Sequence, residues 1–512
     1  MLKQTTLLLA SCVFAAGLTP AAHAQDKPDP AGEEIFDISG VYAIWALNQH
    51  GFMLGNDDVL LDDADYVVQM LRVKAKLGRE KYGVVTRFDA AQGWWGADNS
   101  PNVEPSVTVA EDGTVSSGTA YNPYKLFRNK DTNYGVHFDW AYGFVELPGI
   151  AFPVRIQAGR QYMSVGHKLV LDQDLDGVVV SAAPTDGFTV DLMWAKMSEG
   201  AGSVKAPVGL LMNDSDAYAD ADLFGGKATF AMEPATLEVF GLYYLDNSGD
   251  GAGAYLPSGL GYFNARFQPE LSQVTALGLS VDGKLDVAGG LLFELEGDYL
   301  FGSDDIDNAD HAGGALDIND GDLSGYNAYV KVTQKLDSAV PFDVGALFGM
   351  GSGDDDPTSG AGNINKIQTM GFFPLTNVWE DSVMPDVGGI SPQGLGSPVS
   401  RGYREFENTT AIQARVGVVP WKPMRLEATY TYLLATQAVY GFEADGTPRE
   451  ESARDLGQEI DANLHLSVYK GFGYKALFGY FIPGEASAYL INGVNTYQEP
   501  AWELKQVITA KF

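Results

Sequence analysis

The chain has 512 residues and carries 67 Asp and Glu against 33 Lys and Arg, a formal net charge of −34 at pH 7. Such acidity argues against nucleic acid as a partner, because phosphate binding requires a basic surface. It favours divalent cations or a saline external medium. Cys12 is the only cysteine, so disulfides and thiolate metal sites are excluded from the chain that follows the N-terminal segment.

The N-terminus has the pattern of a secretory signal. Lys3 precedes an apolar run over 6–18, and Ala22-His23-Ala24 forms a small-x-small cleavage site. The stretch that ends at Cys12 also fits a lipoprotein signal, but it would leave a very short apolar core before the cysteine. The pattern divides the chain into a signal peptide (1–24), a short N-terminal segment (25–34) and an outer-membrane β-barrel (35–512).

After the signal, no stretch contains eighteen consecutive apolar residues, so the sequence predicts no membrane-spanning helix. Alternation of apolar and polar residues with a period of two predicts strands instead. The alternating segments lie at 35–45, 65–77, 82–93, 131–146, 153–164, 176–184, 187–197, 221–232, 235–246, 271–282, 285–300, 323–336, 341–350, 407–419, 424–437, 456–469, 472–483 and 500–512.

Short and long connections alternate along this set of predicted strands. Eight connections are only a few residues long and nine are long, as expected for short periplasmic turns and long external loops on an even-stranded barrel. The fold prediction is therefore all-β, a single transmembrane antiparallel β-barrel of about 18 strands. Sixteen or twenty strands, or a soluble all-β array, are the alternatives that the pattern leaves open.

The last predicted strand, 501–512, ends the chain on an aromatic residue. One face carries Trp502, Leu504 and Ile508 and leads to Phe512, while the other face is mostly polar. This pattern resembles the C-terminal signature of bacterial outer-membrane barrels, in which the final strand closes the sheet onto the first. It implies location in the bacterial outer membrane, contact with lipid and lipopolysaccharide, and recognition of strand 501–512 by the barrel-assembly machinery.

Three predicted strands indicate which side chains face lipid. In 136–144 the apolar set includes Phe138, Trp140 and Phe144, and similar sets occur in 285–299 and 424–434. In a membrane barrel the apolar face contacts lipid and the polar face lines water. Eighteen strands leave an aqueous channel rather than a packed interior. Function is therefore expected in the lumen and the loops.

Two stretches resemble the alginate-export family of outer-membrane barrels. One is the RIQAGRQ segment Arg155–Gln161, followed by the acidic stretch Asp172–Gly177. The other is the GQEID segment Gly457–Asp461, which leads to the GYFIPG segment Gly479–Gly484. The resemblance implies an eighteen-stranded barrel whose arginine-rich lumen conducts an anionic polyuronate, with Arg160 in the family's Gly-Arg-Gln position.

Strand alternation points a set of charged side chains into the lumen. Arg160 joins this set only if a bulge at Gly159 resets the alternation. The charges either neutralise one another along a solvated wall or create a field that orients dipolar or anionic solutes. The predicted pore-lining residues are the bases Arg72, Lys74, Arg87, Arg155, Arg160, Lys331, Arg415 and Arg425 and the acids Glu294, Glu296, Asp298, Glu459 and Asp461.

Asp172, Asp174 and Asp176, followed by Gly177, match the opening of a calcium-binding loop. The twelfth position of that loop is Ala183, so its bidentate Glu is missing. An ordinary loop entering a strand is the competing interpretation.

The external loops 46–64 and 301–322 together hold eleven acids and no Lys or Arg. They are candidates for binding Ca²⁺, and the alternative is a repulsive, solvated surface. No other cofactor is predicted. His465 shares a predicted strand face with Glu459 and Asp461, but no nucleophile motif accompanies it, so no enzymatic activity is predicted.

The longest predicted connection, 351–406, contains Phe372, Phe373 and Trp379 among several prolines. A long loop with aromatic residues tends to pack, so we predict that it folds over or into the pore and narrows it. An external cap is the alternative. The functional prediction is a porin for passive diffusion of small polar or anionic solutes, carbohydrate or uronate-like solutes included. A structural or partner-binding scaffold without an open pore is the alternative function.

Overall fold

The structure of the protein is a computed structural model. The structure describes most of the chain between Glu34 and Phe512 and leaves several external connections undescribed. The described residues are 34–56, 63–92, 103–109, 115–121, 135–198, 221–246, 272–304, 321–336, 338–355, 365, 369–371, 373–379, 382–384, 387–388, 406–443 and 448–512.

Eighteen antiparallel strands form one sheet that closes on itself. The last strand pairs with the first, from Val41↔Lys511 to His50↔Trp502. Closure leaves no strand edge unpaired, which the lipid environment demands. The barrel strands are β1 (Glu34–His50), β2 (Ala64–Arg79), β3 (Tyr82–Gln92), β6 (Gly135–Glu146), β7 (Val154–Val165), β8 (Leu171–Thr185), β9 (Phe188–Ser198), β10 (Ala221–Met232), β11 (Ala235–Asp246), β12 (Ser272–Leu285), β13 (Leu291–Asp304), β14 (Gly321–Leu336), β15 (Phe342–Gly351), β18 (Thr409–Trp421), β19 (Met424–Phe442), β20 (Pro448–Tyr469), β21 (Phe472–Pro483) and β22 (Ala501–Lys511).

In their described parts, the external connections carry two small hairpins and one helix. The hairpins are β4 (Val103–Val109) with β5 (Val115–Tyr121), and β16 (Ser382–Met384) with β17 (Val387–Gly388). Helix α1 (Glu485–Asn492) precedes β22 and ends at Gly493 in the left-handed conformation (φ 73°). No helix among the described residues is long and apolar enough to cross a membrane.

The predicted barrel of 18 antiparallel strands is confirmed, with local corrections to its boundaries. The turn predicted at 283–284 lies at 286–290, between β12 and β13. Residues 165–175, expected in a connection, lie largely in β7 and β8, which extend to Val165 and from Leu171. The predicted signal peptide and most of segment 25–34 lie outside the described residues.

The outer surface of the barrel is apolar. Large hydrophobic side chains such as Leu277, Val330 and Ile412 are more than a third exposed, although they lie in the middle of strands. This is the belt that contacts lipid in an outer-membrane barrel, and the protein is a bacterial outer-membrane β-barrel.

One strand-face prediction was wrong. Phe138 faces outward and is 58% exposed, but Trp140 and Phe144 point into the barrel. The register of β3 with β6 shifts here, so that Asp139 and Trp140 both lie opposite Arg87. Such a bulge turns two consecutive side chains to the same side and changes the phase of the alternation.

Candidate functional site

The lumen is shaped first by the β7–β8 hairpin. Pairing of β7 with β6 ends at Ala141↔Arg160, and pairing of β8 with β9 ends at Asp176↔Lys196. The two strands continue to pair with each other as far as Val165↔Leu171. The end of the hairpin has therefore left the barrel wall.

The tip of this hairpin lies against the opposite inner wall. The Gly166 amide donates to Glu238 Oε1 at 2.7 Å. His167 contacts Asp282 through Nε2 and Glu296 through Nδ1, both at 3.0 Å. Its ring also meets Tyr329 edge-on, with centroids 5.5 Å apart. The hairpin is thus held inside the barrel by carboxylates of β11, β12 and β13.

Apolar side chains fill the space between the hairpin and the wall. This explains why one part of the barrel interior has a dry core, although wide barrels otherwise enclose water. The cluster includes Met163, Val165, Leu171 and Leu175 of the hairpin and Met193, Leu223, Phe240 and Leu242 of the wall.

The His167 contacts should make docking of the hairpin depend on pH. Burial alone would lower the pKa of His167, but hydrogen bonds and charge interactions with Glu296 and Asp282 outweigh it and raise the pKa to about 9. Since the pKa of a solvated His is about 6.5, the contribution to docking is complete below about pH 6.5 and is lost as the pH rises through about 9.

We therefore expect channel recordings to show a rise in current noise or conductance between about pH 7 and 10, as up to about 3 kcal/mol of docking free energy is lost. His167→Gln should show the high-pH behaviour at every pH. If wild type and the variant have the same pH profile, the His167 contacts do not control the hairpin.

A second segment, 369–379, which is described except for residue 372, also lies inside the barrel. The carboxylate of Glu459 accepts hydrogen bonds from three consecutive backbone amides, those of Asn377 (2.8 Å), Val378 (2.6 Å) and Trp379 (2.9 Å). The Trp379 ring stacks on Phe481, with centroids 5.0 Å apart. This described part of the loop predicted to narrow the pore is thus anchored to the inner face of β20 and β21.

The two inserted segments contact each other. The Met370 amide donates to the Val170 carbonyl at 3.0 Å, and the Asp172 amide donates to the Met370 carbonyl at 2.9 Å. Phe373 lies 4.9 Å from Tyr329, measured between ring centroids. Together the hairpin and segment 369–379 occupy part of the lumen and reduce its open cross-section. The passage that remains lies along the wall of β2, β3, β6 and β7.

That wall carries bases stacked on aromatic rings. The Arg155 guanidinium lies 3.9 Å from the centre of the Phe144 ring, and Lys76 lies 5.3 Å from it. Lys74 lies 5.2 Å from the centre of the Trp140 ring. Within the described part of the chain, none of these three bases forms an ion pair, and Arg155 Nε is buried without a hydrogen-bond partner. We call Lys74, Lys76, Arg155, Trp140 and Phe144 the basic lane.

Above the basic lane, charges of both signs form a connected network. Arg72 donates to Asp89 at 2.7 Å and lies 2.9 Å from Asp139. Arg87 bridges Asp139 (2.8 Å) and Asp174 (3.0 Å), and its guanidinium stacks on Trp140 at 3.6 Å. These two arginines are largely neutralised by their partners.

The bases of the far wall, formed by β13–β15, β18 and β19, are neutralised by acids too. Arg425 binds Asp343 at 2.6 Å and Glu427 at 3.0 Å. Arg415 lies 3.5 Å from Glu427 and donates to Thr333 Oγ1. A separate pair joins Lys331 to Glu294 at 2.9 Å. On this wall the bases and acids neutralise one another.

Arg160, unlike Arg155, is paired with an acid. Gly159 has a positive φ of 124°, but the pairing of β7 with both neighbours continues through it without a register shift. The bulge on which the prediction depended is absent from this described stretch. Arg160 instead binds Asp176, directly opposite on β8, at 3.0 Å.

The expected calcium loop at Asp172, Asp174 and Asp176 is not formed, because these residues lie along strand β8 rather than in a loop. Asp172 binds Lys168 at 3.2 Å, while Asp174 and Asp176 bind different arginines. Among the described residues, no group of three or more His, Cys, Asp or Glu side chains is arranged to hold a metal ion. Most acids of the two acidic loops lie outside the described residues.

Sequence reasoning missed three residues of the basic lane. Lys76 continues the period-two series of Arg72 and Lys74 and could have been found by extending that series. Trp140 and Phe144 were assigned to lipid because the bulge in β6 leaves no visible mark in the sequence. No motif in the sequence singles out His167.

Comparison with solved structures places this architecture among known barrels. OccK9 (OpdG) of Pseudomonas aeruginosa matches with a TM-score of 0.51 and 11% identity, over 93% of this chain and 98% of that one. Two Acinetobacter baumannii proteins match with TM-scores of 0.50: OccAB3 at 10% identity (93% and 99% covered) and OccAB1 at 12% (93% and 97%).

The chain has the fold of the 18-stranded outer-membrane porins of the OprD/Occ family. At this level of identity the similarity concerns the fold alone. No protein-family model matches the sequence, and no curated protein sequence matches it either. The function must therefore be argued from the lumen itself.

Proposed function

We propose that the protein is an outer-membrane channel for passive diffusion of small solutes that carry a carboxylate. The observation that carries the proposal is the basic lane: three bases without carboxylate partners on one wall of a lumen whose other described bases are mostly paired. Uronates and other acidic carbohydrates belong to this solute class.

The lane has the chemistry needed to bind carboxylates weakly and repeatedly. The planar guanidinium of Arg155 can meet a carboxylate with two parallel hydrogen bonds, whereas the two lysines act as point charges. Lys74 and Lys76 lie two residues apart on β2, a distance of about 7 Å. An anion can therefore pass from one base to the next without returning to bulk water, which suits conduction through weak sequential sites.

The aromatic rings of the lane support this role. Trp140 and Phe144 hold the bases by cation–π contacts, worth about 0.5–2 kcal/mol each depending on exposure. These contacts fix the cations in place without neutralising them, as a carboxylate would. Sugar rings also have apolar faces, which can lie on the partly exposed ring of Trp140 but not on the buried Phe144.

A polyuronate, as implied by the resemblance to alginate-export barrels, is a narrower version of the same proposal. The segment Arg155–Gln161 that carries the resemblance includes one base of the lane. Because Arg160 binds Asp176, only Arg155 of this segment acts in the lane. We favour small solutes, since two inserted segments narrow the lumen.

The proposal is tested by comparing glucuronate with glucose, two solutes of similar size that differ in a carboxylate. Purified protein in liposomes should pass labelled glucuronate faster than glucose. The ratio of the glucuronate rate to the glucose rate should fall in the variant that combines Lys74→Gln, Lys76→Gln and Arg155→Gln. Equal rates for both solutes would contradict anion preference, and absence of any flux or single-channel current would favour the scaffold alternative.

A further inference from the structure

The first strand of the barrel extends beyond the strand that closes it. The pairing of β1 with β22 ends at Gly40 and Phe512, which exchange two backbone hydrogen bonds of 2.9 and 3.1 Å. Residues 34–39 of β1 continue beyond this point, outside the closed part of the sheet, and pair with β2 as far as Glu34↔Arg79. Their other edge has no partner among the described residues. We call residues 34–39 the β1 extension.

The open edge of the β1 extension combines unpaired backbone groups with apolar side chains. Successive residues of an antiparallel strand direct their N–H and C=O groups to alternate sides. Because Gly40 directs both groups toward β22, Ile38 and Phe36 direct theirs toward the open side. Their side chains are 49% and 76% exposed, and Leu77, opposite Phe36 on β2, is 44% exposed. An apolar open edge invites pairing with another strand, and natural proteins cover such edges.

We propose that residues 26–31 fold back along the β1 extension and add a short strand that covers its open edge. This segment lies outside the described residues and is joined to β1 through Gly32 and Glu33. A two-residue hairpin loop at these positions has glycine first, which is the requirement of a type II′ turn. The edge and the segment that covers it are therefore neighbours in the chain, and a tight turn is sufficient to bring them together.

The register set by this turn agrees with the open edge. The pair that closes a two-residue loop is hydrogen-bonded, and bonded pairs recur at every second residue. On β1 they fall at Phe36 and Ile38, whose N–H and C=O groups face the open side. The proposed pairs are Ala31↔Glu34, Pro30↔Ile35, Asp29↔Phe36, Pro28↔Asp37, Lys27↔Ile38 and Asp26↔Ser39.

The two prolines of the segment fit the same register. Pro28 and Pro30 fall at positions whose N–H groups would point away from β1, which is where an edge strand tolerates proline. Lysine and proline are also residues with which natural proteins blunt an edge, and the new outer edge would carry Lys27 beside both prolines. The added strand would thus replace an apolar edge with a protected one.

The length of the segment fits the space beside the β1 extension. Asp26 reaches Ser39, and the next residue of β1, Gly40, is already bonded to Phe512. With signal cleavage after Ala24, as the sequence predicts, a single residue precedes the proposed pairing. The added strand would therefore fill the edge up to the end of β22 without competing with β22.

The first test measures hydrogen exchange of single amides in the protein purified in detergent after signal removal. Deleting 27–31 should make the Phe36 and Ile38 amides exchange at least about tenfold faster. The Ile35 and Asp37 amides point toward β2 and are the internal control, so their exchange should stay unchanged.

Two proline variants test the register and also serve if the deletion does not fold. Asp29→Pro places a proline at a bonding position and should speed exchange at Phe36 and Ile38. Asp26→Pro removes the same residue type at a non-bonding position, and it should leave exchange at the wild-type rate.

A disulfide tests the pairing directly, because the only cysteine, Cys12, lies in the predicted signal peptide. Asp26→Cys combined with Ser39→Cys creates a non-hydrogen-bonded pair, with Cα atoms about 4.5 Å apart, which suits a disulfide. Mild oxidation should link the two, as read by mass spectrometry of peptides. Asp29→Cys combined with Ser39→Cys is the matched control, out of register by three residues, and it should remain reduced.

Three results would overturn the proposal. Equal exchange at Phe36 and Ile38 with and without 27–31 would mean that this segment does not cover the edge. Equal disulfide yield in the two cysteine pairs would mean that it has no fixed register. A disulfide formed between two molecules would assign the open edge to a second copy of the chain.

Discussion

Replacing Lys74, Lys76 and Arg155 together with Gln should shift the reversal potential in a salt gradient strongly toward cation selectivity. These bases have no carboxylate partner among the described residues, so their removal takes three positive charges from the narrowed lumen without exposing any negative one. At physiological ionic strength the screening length is about 8 Å. Charges that a permeating ion passes at contact distance should therefore outweigh the acidic loops at the mouth.

The matched control removes equal numbers of positive and negative charges from the far wall. Arg415→Gln, Arg425→Gln, Asp343→Asn and Glu427→Gln made together eliminate two bases and two acids, so we expect little shift. Replacing the two arginines alone, as the sequence would suggest, is a poorer test because it leaves Asp343 and Glu427 unpaired. A reversal potential unchanged by the triple variant in a folded barrel would remove the lane from the mechanism.

The strand framework was predictable because lipid forces every strand into the same pattern. A period-two alternation, repeated from Glu34 to Phe512, defines the outer belt, and the position of Arg72 and Lys74 on the inner face follows from it. The prediction failed where one residue changes the phase. At Asp139 the bulge in β6 is fixed by cross-strand contacts with Arg72 and Arg87, which the local sequence does not reveal.

The contents of the lumen were less predictable. Packing of loop 351–406 was expected from its aromatic residues, but the anchor of its described segment 369–379, Glu459, lies about 80 residues away on another strand. The inward course of the β7–β8 hairpin depends on Glu238, Asp282 and Glu296. Contacts between distant segments of this kind have no periodic signature, and Glu296 and Glu459 were predicted only as pore-lining acids.

These contacts divide the interior into two unlike halves. On the side of β10–β14 the hairpin packs on an apolar core, and acids act as structural anchors for inserted chain. On the side of β2–β7 the wall stays partly exposed and carries the uncompensated bases. Solutes should therefore follow the basic side, while the acidic side determines how wide the passage is.

Deleting 360–395 should raise single-channel conductance, roughly doubling it, since current scales with the open cross-section and this range contains the inserted segment 369–379. A milder change, Glu459→Gln, should act in the same direction. The carboxylate accepts three amide hydrogen bonds, and charge-assisted bonds are worth about 1.5–3 kcal/mol each. An amide group offers one oxygen and turns a donor toward the same N–H groups, so the segment should detach and the current should fluctuate.

Glu503→Gln is the control for this experiment. Glu503 is as deeply buried as Glu459 and lies on the neighbouring strand β22, but the hydrogen bond it accepts comes from Gln49, at 2.5 Å, and not from segment 369–379. Its replacement should leave unit conductance unchanged, which separates loss of the anchor from general loosening of the barrel. A correctly folded deletion variant with wild-type conductance would mean that segment 369–379 packs beside the solute path without narrowing it, and the passage would then be set by the His167 hairpin alone.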